Sequence, residues 1–153
     1  IGMADPGDDA INAVMQKTGT DRLVAAHPKG LERLISEGGK GLSGGQKQLV
    51  AFTRLILLTP GILLLDEPTA TMDDPQERQC LQVLQAEAAQ NKTMVIVTHK
   101  PSVLPLVTRL IVMAGSRIVL DGPRDEVLQK LRNPQPQSQP QSTPQTAEKA
   151  VAV

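Results

Sequence analysis

The sequence predicts an α/β fold, in which a largely parallel sheet alternates with helices. Two short runs, ILLLD at 62–66 and TMVIVTH at 93–99, are apolar at nearly every position. Such runs are typical of parallel strands that are covered on both faces, because a half-exposed strand alternates apolar and polar residues. The segment between them has helical spacing, so the chain order is strand, helix, strand. We therefore expect a βαβ unit whose strands have both faces buried.

Helices are expected before and between these strands. The segment 8–18 repeats apolar residues at helical spacing, and Gly19 follows it as a typical helix end. A second helix is expected to begin at Ser43 and to end before Pro60. A third is expected over 73–90. Its inward-facing residues are predicted to be Leu81, Leu84 and Ala88.

The C-terminal part divides into a hairpin, a helix and a tail of different composition. Two strands within 109–121 flank residues 114–116, Ala-Gly-Ser, which indicates a hairpin, and 124–131 has helical spacing. The sequence after this helix consists largely of Pro, Gln, Ser and Thr, which cannot bury a core. We expect one domain at 1–132 and a disordered tail at 133–153. A proline-rich docking ligand is the alternative for the tail.

Composition excludes several classes of protein. Lys plus Arg and Asp plus Glu number 16 each, which argues against a nucleic-acid binder that uses a broad basic surface. Phe52 is the only aromatic residue, so base stacking on aromatic side chains is excluded as well. Cys80 is the only cysteine, so no internal disulfide can form and the cytosol is the expected compartment. No apolar run reaches the ~20 residues of a membrane-spanning helix.

Two adjacent carboxylates, Asp66 and Glu67, follow the first apolar strand. Ligands of open α/β sheets bind beyond the carboxyl ends of the strands, where both residues are expected. Adjacent side chains leave a strand on opposite sides, so one carboxylate can address a metal ion and the other a water molecule. An acidic turn that only ends the strand is the alternative.

The segment LSGGQ at 42–46 begins the second helix. Ser43 can cap the helix, while Gly44 and Gly45 let backbone N–H groups approach an anion closely. The positive end of the helix dipole adds to the attraction, so the segment is suited to phosphate although it lacks a lysine. A glycine-rich turn with a serine cap and no ligand is the alternative.

His99 ends the second apolar strand, at the sheet edge expected for Asp66 and Glu67. An imidazole there can donate a hydrogen bond to a phosphate oxygen or orient a water molecule. The alternative is a histidine that is hydrogen-bonded to backbone only. His27 lies in an expected loop and is given no such role.

Taken together, these motifs closely resemble the ATP-binding cassette (ABC) ATPases. LSGGQ at 42–46 is similar to the ABC signature, ILLLDEP at 62–68 to the Walker B strand with the catalytic glutamate, TATMD at 69–73 to the D-loop, and His99 to the switch histidine. The resemblance extends from about Ala10 to Leu131. It implies the C-terminal part of a P-loop NTPase (RecA-like) domain that uses ATP and Mg²⁺.

The resemblance also implies residue roles. Asp66 would hold Mg²⁺ through water, Glu67 would be the general base, and His99 would contact the γ-phosphate. The signature residues Leu42, Ser43, Gly44, Gly45 and Gln46 would face an ATP held mainly by a second cassette. Asp73 would reach across the interface of that head-to-tail dimer.

A further stretch refines the resemblance. ISEGGKGLSGGQ, preceded by HPKGL, is similar to exporters whose cassette is fused to membrane helices, especially type I secretion ATPases. This implies that Ser36 to Lys40 contact the coupling helices of a transmembrane domain. The implied location is the cytoplasmic face of the inner membrane of a bacterium. Two departures from the pattern are Ala70, where the D-loop often has Ser, and Phe52-Thr53, which replace a smaller pair.

The sequence contains no GxxxxGK[ST] motif and no Q-loop, both of which precede the signature in ABC ATPases. We therefore interpret the chain as the C-terminal half of a cassette that is inactive alone. One alternative is a non-catalytic half-cassette that supplies only the signature face to a partner, and another is a soluble ABC ATPase of repair or translation. Membrane spans and a P-loop encoded upstream would favour the exporter. A start codon near Ile1 would favour the half-cassette, and a P-loop without spans the third interpretation.

Overall fold

The computed structural model describes residues 5–133 and the backbone of 149–152. The described residues form two compact units. A helical unit contains 5–62 and 68–92, and a sheet unit contains 63–67, 93–133 and 149–152. Within the described ranges, no helix is both long and apolar enough to span a membrane.

Four helices make up the helical unit: α1 (Asp8–Thr18), α2 (Thr20–Ala25), α3 (Gly44–Leu57) and α4 (Asp74–Ala88). Gly19 ends α1 as predicted, with a φ of 82° that L side chains adopt only under strain. Two 3₁₀ turns, Gly30–Glu32 and Glu37–Gly39, connect α2 to α3. The three predicted helices are therefore present, and α4 ends two residues earlier than expected.

The core of the helical unit is mainly aliphatic, as the lack of aromatics requires. Its buried apolar residues are Met15, Leu49, Phe52, Ile56, Leu57, Met72, Cys80, Val83 and Leu84. The inward face predicted for α4 is correct only at Leu84, because Leu81 and Ala88 are half-buried and Glu77 and Glu87 are buried instead. Glu77 accepts a hydrogen bond from Thr69, and Glu87 pairs with Lys92. Because each carboxylate has a partner, Glu77 and Glu87 can be buried on the inward face of α4. A prediction based only on apolar residues does not place them there.

Cys80 lies fully buried in this core, as a small apolar residue would. Burial, with a smaller contribution from the charge of Glu77, raises the pKa of its thiol to about 12. We expect about a thousandfold less thiolate than for a free cysteine at pH 8, and no reaction with a thiol reagent until the chain unfolds. Above pH 9 the unfolded chain binds fewer protons than the folded one, so the free energy of unfolding falls by up to ~1.4 kcal/mol per pH unit. Thiol titration with and without denaturant tests this, and rapid native labelling would contradict it.

The sheet has five strands in the order β1-β2-β5-β3-β4, and all of it except Ile62 belongs to the sheet unit. Their bounds are β1 Ile62–Asp66, β2 Thr93–Thr98, β3 Arg109–Ala114, β4 Arg117–Pro123 and β5 Lys149–Ala152. Strands β1 and β2 are neighbours that the chain connects through α4, which is the expected βαβ unit. Strand β5 pairs antiparallel with both β2 and β3. A 3₁₀ helix (Pro101–Leu106) precedes β3, and α5 (Arg124–Arg132) follows β4.

The predicted hairpin joins β3 to β4. Gly115 and Ser116 form its turn with φ values of 54° and 62°, and positive values at both positions are typical of the two-residue type I′ turn. Arg109 and Asp121 pair across the hairpin through two hydrogen bonds of 2.8 Å each. The predicted position of the turn is therefore confirmed.

The prediction that both faces of the first strand are buried is wrong. Along β1 exposed and buried residues alternate: Leu63 and Leu65 are buried, whereas Ile62 and Leu64 are 63% and 74% exposed. The side chains on both faces of β1 are apolar, but the described residues cover only the face of Leu63 and Leu65. The other face of β1 is an uncovered apolar surface.

Within the predicted tail at 133–153, the backbone of Lys149–Ala152 forms β5. This short stretch lacks the Pro and Gln of the preceding sequence, and its Ala-Val-Ala is compatible with a strand. Helix α5 ends at Arg132 with Asn133 as its C-cap. Residues 134–148, where most of the tail was predicted, lie outside the described residues.

Candidate functional site

A carboxylate and an imidazole meet at one edge of the sheet unit. Glu67 follows the last residue of β1, and His99 follows the last residue of β2. The Nδ1 atom of His99 lies 2.6 Å from Oε1 of Glu67. The structure thus brings these two predicted residues into direct hydrogen-bond contact.

The backbone of Glu67 is in the left-handed region, with a φ of 47°. This is rare for a residue with a side chain and costs roughly 1–3 kcal/mol, so the surrounding structure must hold it in place. The Glu67 N–H donates a 2.8 Å hydrogen bond to the carbonyl of Val97, which continues the pairing with β2 beyond the end of β1. The strained turn therefore fixes the carboxylate at the sheet edge.

Thr98 is a third member of this cluster that the sequence interpretation missed. Its side chain is 1% exposed, and its hydroxyl donates a 3.3 Å hydrogen bond to Oε2 of Glu67. The same hydroxyl accepts a 3.0 Å hydrogen bond from the N–H of Lys100. Each oxygen of Glu67 therefore has a partner. The signal in the sequence is a hydroxyl residue directly before the histidine, which becomes informative once the two strands are known to be neighbours.

The pKa of Glu67 is set by opposing effects. Partial burial raises the pKa, whereas the hydrogen bonds and charge of His99 and the hydrogen bond of Thr98 lower it, and the net result lies below 4.5. Glu67 is therefore an ionised carboxylate at neutral pH. An ionised carboxylate held by an imidazole can accept a proton from a water molecule.

Asp66 is the exposed last residue of β1. Among the described residues, no group of three or more His, Cys, Asp or Glu side chains could hold a metal ion. Mg²⁺ in phosphate-handling sites keeps several waters and takes one or two carboxylates together with substrate phosphates. Asp66, a single exposed carboxylate, fits a Mg²⁺ site of this kind, in which water and substrate phosphates supply the other ligands.

The serine–glycine segment begins α3 in the helical unit. Ser43 and Gln46 form a reciprocal capping box: the Ser43 hydroxyl accepts from the Gln46 N–H at 3.2 Å, and the Gln46 side chain accepts from the Ser43 N–H at 3.0 Å. The box uses two of the first-turn N–H groups. The N–H groups of Gly44 and Gly45 and the hydroxyl proton of Ser43 are not used by this capping box.

The two glycines differ in how closely the 69–72 loop packs against them. A Cβ at Gly45 would lie 2.6 Å from the carbonyl oxygen of Thr71, whereas one at Gly44 would make ordinary contacts of 3.6 Å or more with the Thr71 side chain. Gln48 holds the loop by accepting from the N–H and the hydroxyl of Thr71, at 3.0 and 2.9 Å. Sequence reasoning did not find the Gln48–Thr71 contact. It links α3 to the 69–72 loop.

The other predicted residues have these positions. Asp73 caps α4, because its Oδ1 accepts a 2.9 Å hydrogen bond from the Gln76 N–H. Leu42 is half-buried and lines an apolar cavity of about 180 Å³ in the helical unit. Ser36–Lys40 form a mostly exposed turn, which begins two residues after Leu34, a residue that is 91% exposed.

Three buried threonine hydroxyls form a cluster between α1, α2 and α3. Thr18 and Thr20 lie 3.0 Å apart, and Thr53 lies 2.9 Å from Thr18 and 2.5 Å from Thr20. Thr18 donates to backbone carbonyls of α1, and Thr53 donates to the Leu49 carbonyl. The hydroxyl of Thr20 is therefore the donor within the cluster. Thr53, part of the Phe52-Thr53 departure noted in the sequence, therefore makes a contact between helices.

We expect Thr53→Val to lower the free energy of unfolding by about 1 kcal/mol, because one buried hydrogen bond is lost while Thr20 can still donate to Thr18. Urea unfolding followed by circular dichroism gives the value. A double-mutant cycle with Thr20→Val isolates the contact, and we expect a coupling energy of similar size. Additive effects of the two substitutions would show that the hydroxyls do not interact.

Comparisons with known proteins decide the family. The ABC transporter family matches residues 8–70. The chain is 37% identical over 124 residues, 81% of its length, to the ATP-dependent lipid A-core flippase of Neisseria gonorrhoeae. It is 35% identical over 129 residues, 84% of its length, to ATP-binding cassette sub-family B member 6 of Homo sapiens. The structure of a bacterial Atm1-family ABC exporter with ATP bound matches 84% of the chain with a TM-score of 0.75 and 27% identity. The chain belongs to the ABC transporter family.

As a member of the ABC transporter family, the chain is similar in structure to part of an ABC exporter, and its α/β fold agrees with the predicted fold class. It spans 20% of the flippase, 15% of the human protein and 22% of the exporter chain of known structure. The residues matched by the family include the serine–glycine segment, strand β1 with Asp66, and Glu67.

Proposed function

We propose that this chain is the C-terminal portion of the ATPase domain of an ABC exporter. Residues 1–132 would be the partial domain, and 133–153 a tail outside it. The domain would couple ATP binding and hydrolysis, at a head-to-tail dimer of two cassettes, to export across a membrane. The observation that carries the proposal is the Glu67–His99 contact at the end of the strand that also delivers Asp66.

This contact suits hydrolysis of a phosphoanhydride bond. Glu67, ionised and held by His99 and Thr98, would accept the proton of the attacking water. The side chain of His99 is 61% exposed, and its Nε2 atom, which does not take part in the contact with Glu67, would contact the γ-phosphate. Asp66 would hold the waters of Mg²⁺, which when bound neutralises the charge of the phosphates.

The start of α3 suits a phosphate supplied from another surface. Its N–H groups at Gly44 and Gly45 and the hydroxyl of Ser43 would face the γ-phosphate of ATP bound to the second cassette. Asp73 keeps one carboxylate oxygen beyond its capping bond, with which it would contact that cassette. An ATP site built from two subunits accounts for an anion-binding segment without a lysine.

The exposed residues before the signature suit contact with a transmembrane domain. Leu34, 91% exposed, and Ile35, 47% exposed, precede the turn at Ser36–Lys40. Exposed aliphatic residues beside an apolar cavity are typical of a protein contact surface. We assign this turn to the coupling helices of the exporter, at the cytoplasmic face of the bacterial inner membrane. The segments HPKGL at 27–31 and EGGKG at 37–41 support type I protein secretion as the class of export.

A nucleotide-binding experiment tests the proposal. The chain alone should bind a fluorescent ATP analogue poorly. With an isolated exporter cassette that carries a P-loop and a glutamine in place of its catalytic glutamate, it should form a heterodimer that requires ATP. Analytical ultracentrifugation with and without ATP measures this.

Two variants of α3 make the experiment specific. Ser43→Arg places a bulky side chain where the γ-phosphate is proposed to bind, at the start of α3. This variant should abolish the ATP-dependent heterodimer. Ala51→Arg, at an exposed position of the same helix, should leave it intact. Equal heterodimer formation by both variants would remove the serine–glycine segment from the ATP site.

A further inference from the structure

The apolar cavity of about 180 Å³ lies entirely within the helical unit, between α1, α2, α3 and the segment that connects α2 to α3. Aliphatic side chains form most of its walls. Two of them, Met15 and Leu57, are buried, whereas Leu31 and Ile35 are 55% and 47% exposed. The cavity therefore extends from the core of the unit to its surface.

The uncharged polar side chains at the cavity are already hydrogen-bonded. They are Thr20 and Thr53, whose hydroxyls bond to each other in the threonine cluster. Because these hydroxyls have partners, the interior of the cavity suits an apolar group better than water. A dry cavity of roughly 150 Å³ already binds benzene, so this one has room for an alkyl chain of roughly six to eight carbons.

The charged side chains that line the cavity are both cationic, Arg33 and Arg54. Arg33 is half-buried, and one of its guanidinium nitrogens donates a 2.7 Å hydrogen bond to the Gly41 carbonyl, which leaves its other N–H groups available. Arg54 is exposed, so it lies at the surface end of the cavity. Neither forms an ion pair with a described carboxylate. The cavity thus combines apolar walls with a positive charge that favours an anion.

We propose that the cavity is a binding site for a medium-chain fatty acid, whose alkyl chain lies among the aliphatic side chains and whose carboxylate contacts Arg33 and Arg54. A guanidinium matches a carboxylate through paired N–H···O hydrogen bonds. A single chain of roughly six to eight carbons fills the volume, whereas the two long chains of a phospholipid exceed it.

This site is distinct from the surface assigned to the coupling helices. Leu34 and the turn at Ser36–Lys40 are not part of the cavity lining, and Ile35 alone is shared by the two surfaces. The proposal does not depend on ATP or on a second cassette. Its measurements use the chain alone and no nucleotide, so their outcome is independent of the proposed function.

A series of fatty acids tests the apolar part of the site. Isothermal titration calorimetry measures the affinity of the chain for butanoate, hexanoate, octanoate, decanoate and dodecanoate. Each methylene that enters the cavity should tighten binding about fourfold, so octanoate should bind about sixteenfold more tightly than hexanoate. Dodecanoate should bind no more tightly than decanoate, because carbons beyond the cavity stay in water. Equal affinities throughout, or a gain that continues to dodecanoate, would overturn the proposal.

The head group tests the role of the arginines. Octanoate should bind roughly fivefold more tightly than octanol, the upper range for a partly exposed ion pair, and octylamine should bind least. Arg54→Gln should remove most of the preference for octanoate over octanol. Arg78→Gln makes the same change at an exposed residue of α4 that does not line the cavity, and it should leave the preference intact. An unchanged preference in Arg54→Gln would overturn the proposal.

Two substitutions in α3 locate the ligand. Val50 lines the cavity, whereas Leu55, equally half-buried, does not. Val50→Phe should weaken octanoate binding by roughly tenfold or more, and Leu55→Phe should leave it unchanged. Urea unfolding verifies that both variants are folded.

If Val50→Phe does not fold, Val50→Ile replaces it. This variant adds one methylene to the wall, so it should weaken octanoate binding about fourfold and leave butanoate binding unchanged. Octanoate affinity equal to that of the unmodified chain, in whichever Val50 variant is folded, would overturn the proposal.

Discussion

Glu67→Gln is expected to slow ATP hydrolysis by roughly 10²–10⁴ in the complete cassette, the scale of a lost general base. Glutamine has the shape of glutamate and can keep the contact with His99, but its amide cannot take a proton from water. ATP binding should be retained, so the loss should fall on kcat with little change in KM. Steady-state phosphate release from the complete protein measures both constants.

Glu126→Gln is the matched control for this substitution. Glu126 is an exposed carboxylate in the first turn of α5, so the same chemical change occurs outside the proposed site. Its kcat should equal that of the unmodified protein. Unchanged turnover in Glu67→Gln would remove Glu67 from the role of base, while equal losses in both variants would indicate a general loss of fold.

Gly45→Ala is expected to destabilise the helical unit by about 2–3 kcal/mol, within the range for overpacking a close contact. The new methyl would lie 2.6 Å from the backbone oxygen of Thr71, so either α3 or the 69–72 loop must move. Movement of this loop would also strain the hydrogen bonds between Thr71 and Gln48. Urea unfolding monitored by circular dichroism gives the change in free energy.

Gly44→Ala provides the comparison one residue away. Its methyl would find contacts of 3.6 Å or more, and alanine is favoured over glycine in a helix by ~1 kcal/mol. We expect this variant to be as stable as the unmodified chain or slightly more so. Similar stability of the two variants would show that the 69–72 loop moves away from residue 45 at little cost. That result would contradict the predicted destabilisation.

The sequence predicted the helices and the hairpin turn because their signals are local. Gly19 and Ser43 act within one turn of their own helix, and the positions 115 and 116 need only tolerate a positive φ. The meeting of Glu67 and His99 was also predictable, since the ends of neighbouring strands share one edge of a sheet.

The remaining features depend on partners distant in the chain. The burial of Glu87 requires Lys92, and the second oxygen of Glu67 requires Thr98, which is 31 residues away. The exposed face of β1 depends on what covers the strand, which its own apolar residues do not reveal. The position of β5 depends on its pairing with β2 on one side and β3 on the other, which no local pattern in the tail encodes.

The positive φ of Glu67 has a consequence for engineering and for evolution. Glycine at this position would relieve roughly 1 kcal/mol of conformational strain, so a screen that selects only for thermal tolerance should enrich Glu67→Gly. The same exchange deletes the carboxylate that contacts His99. Selection for robustness and selection for turnover therefore oppose each other at this single codon.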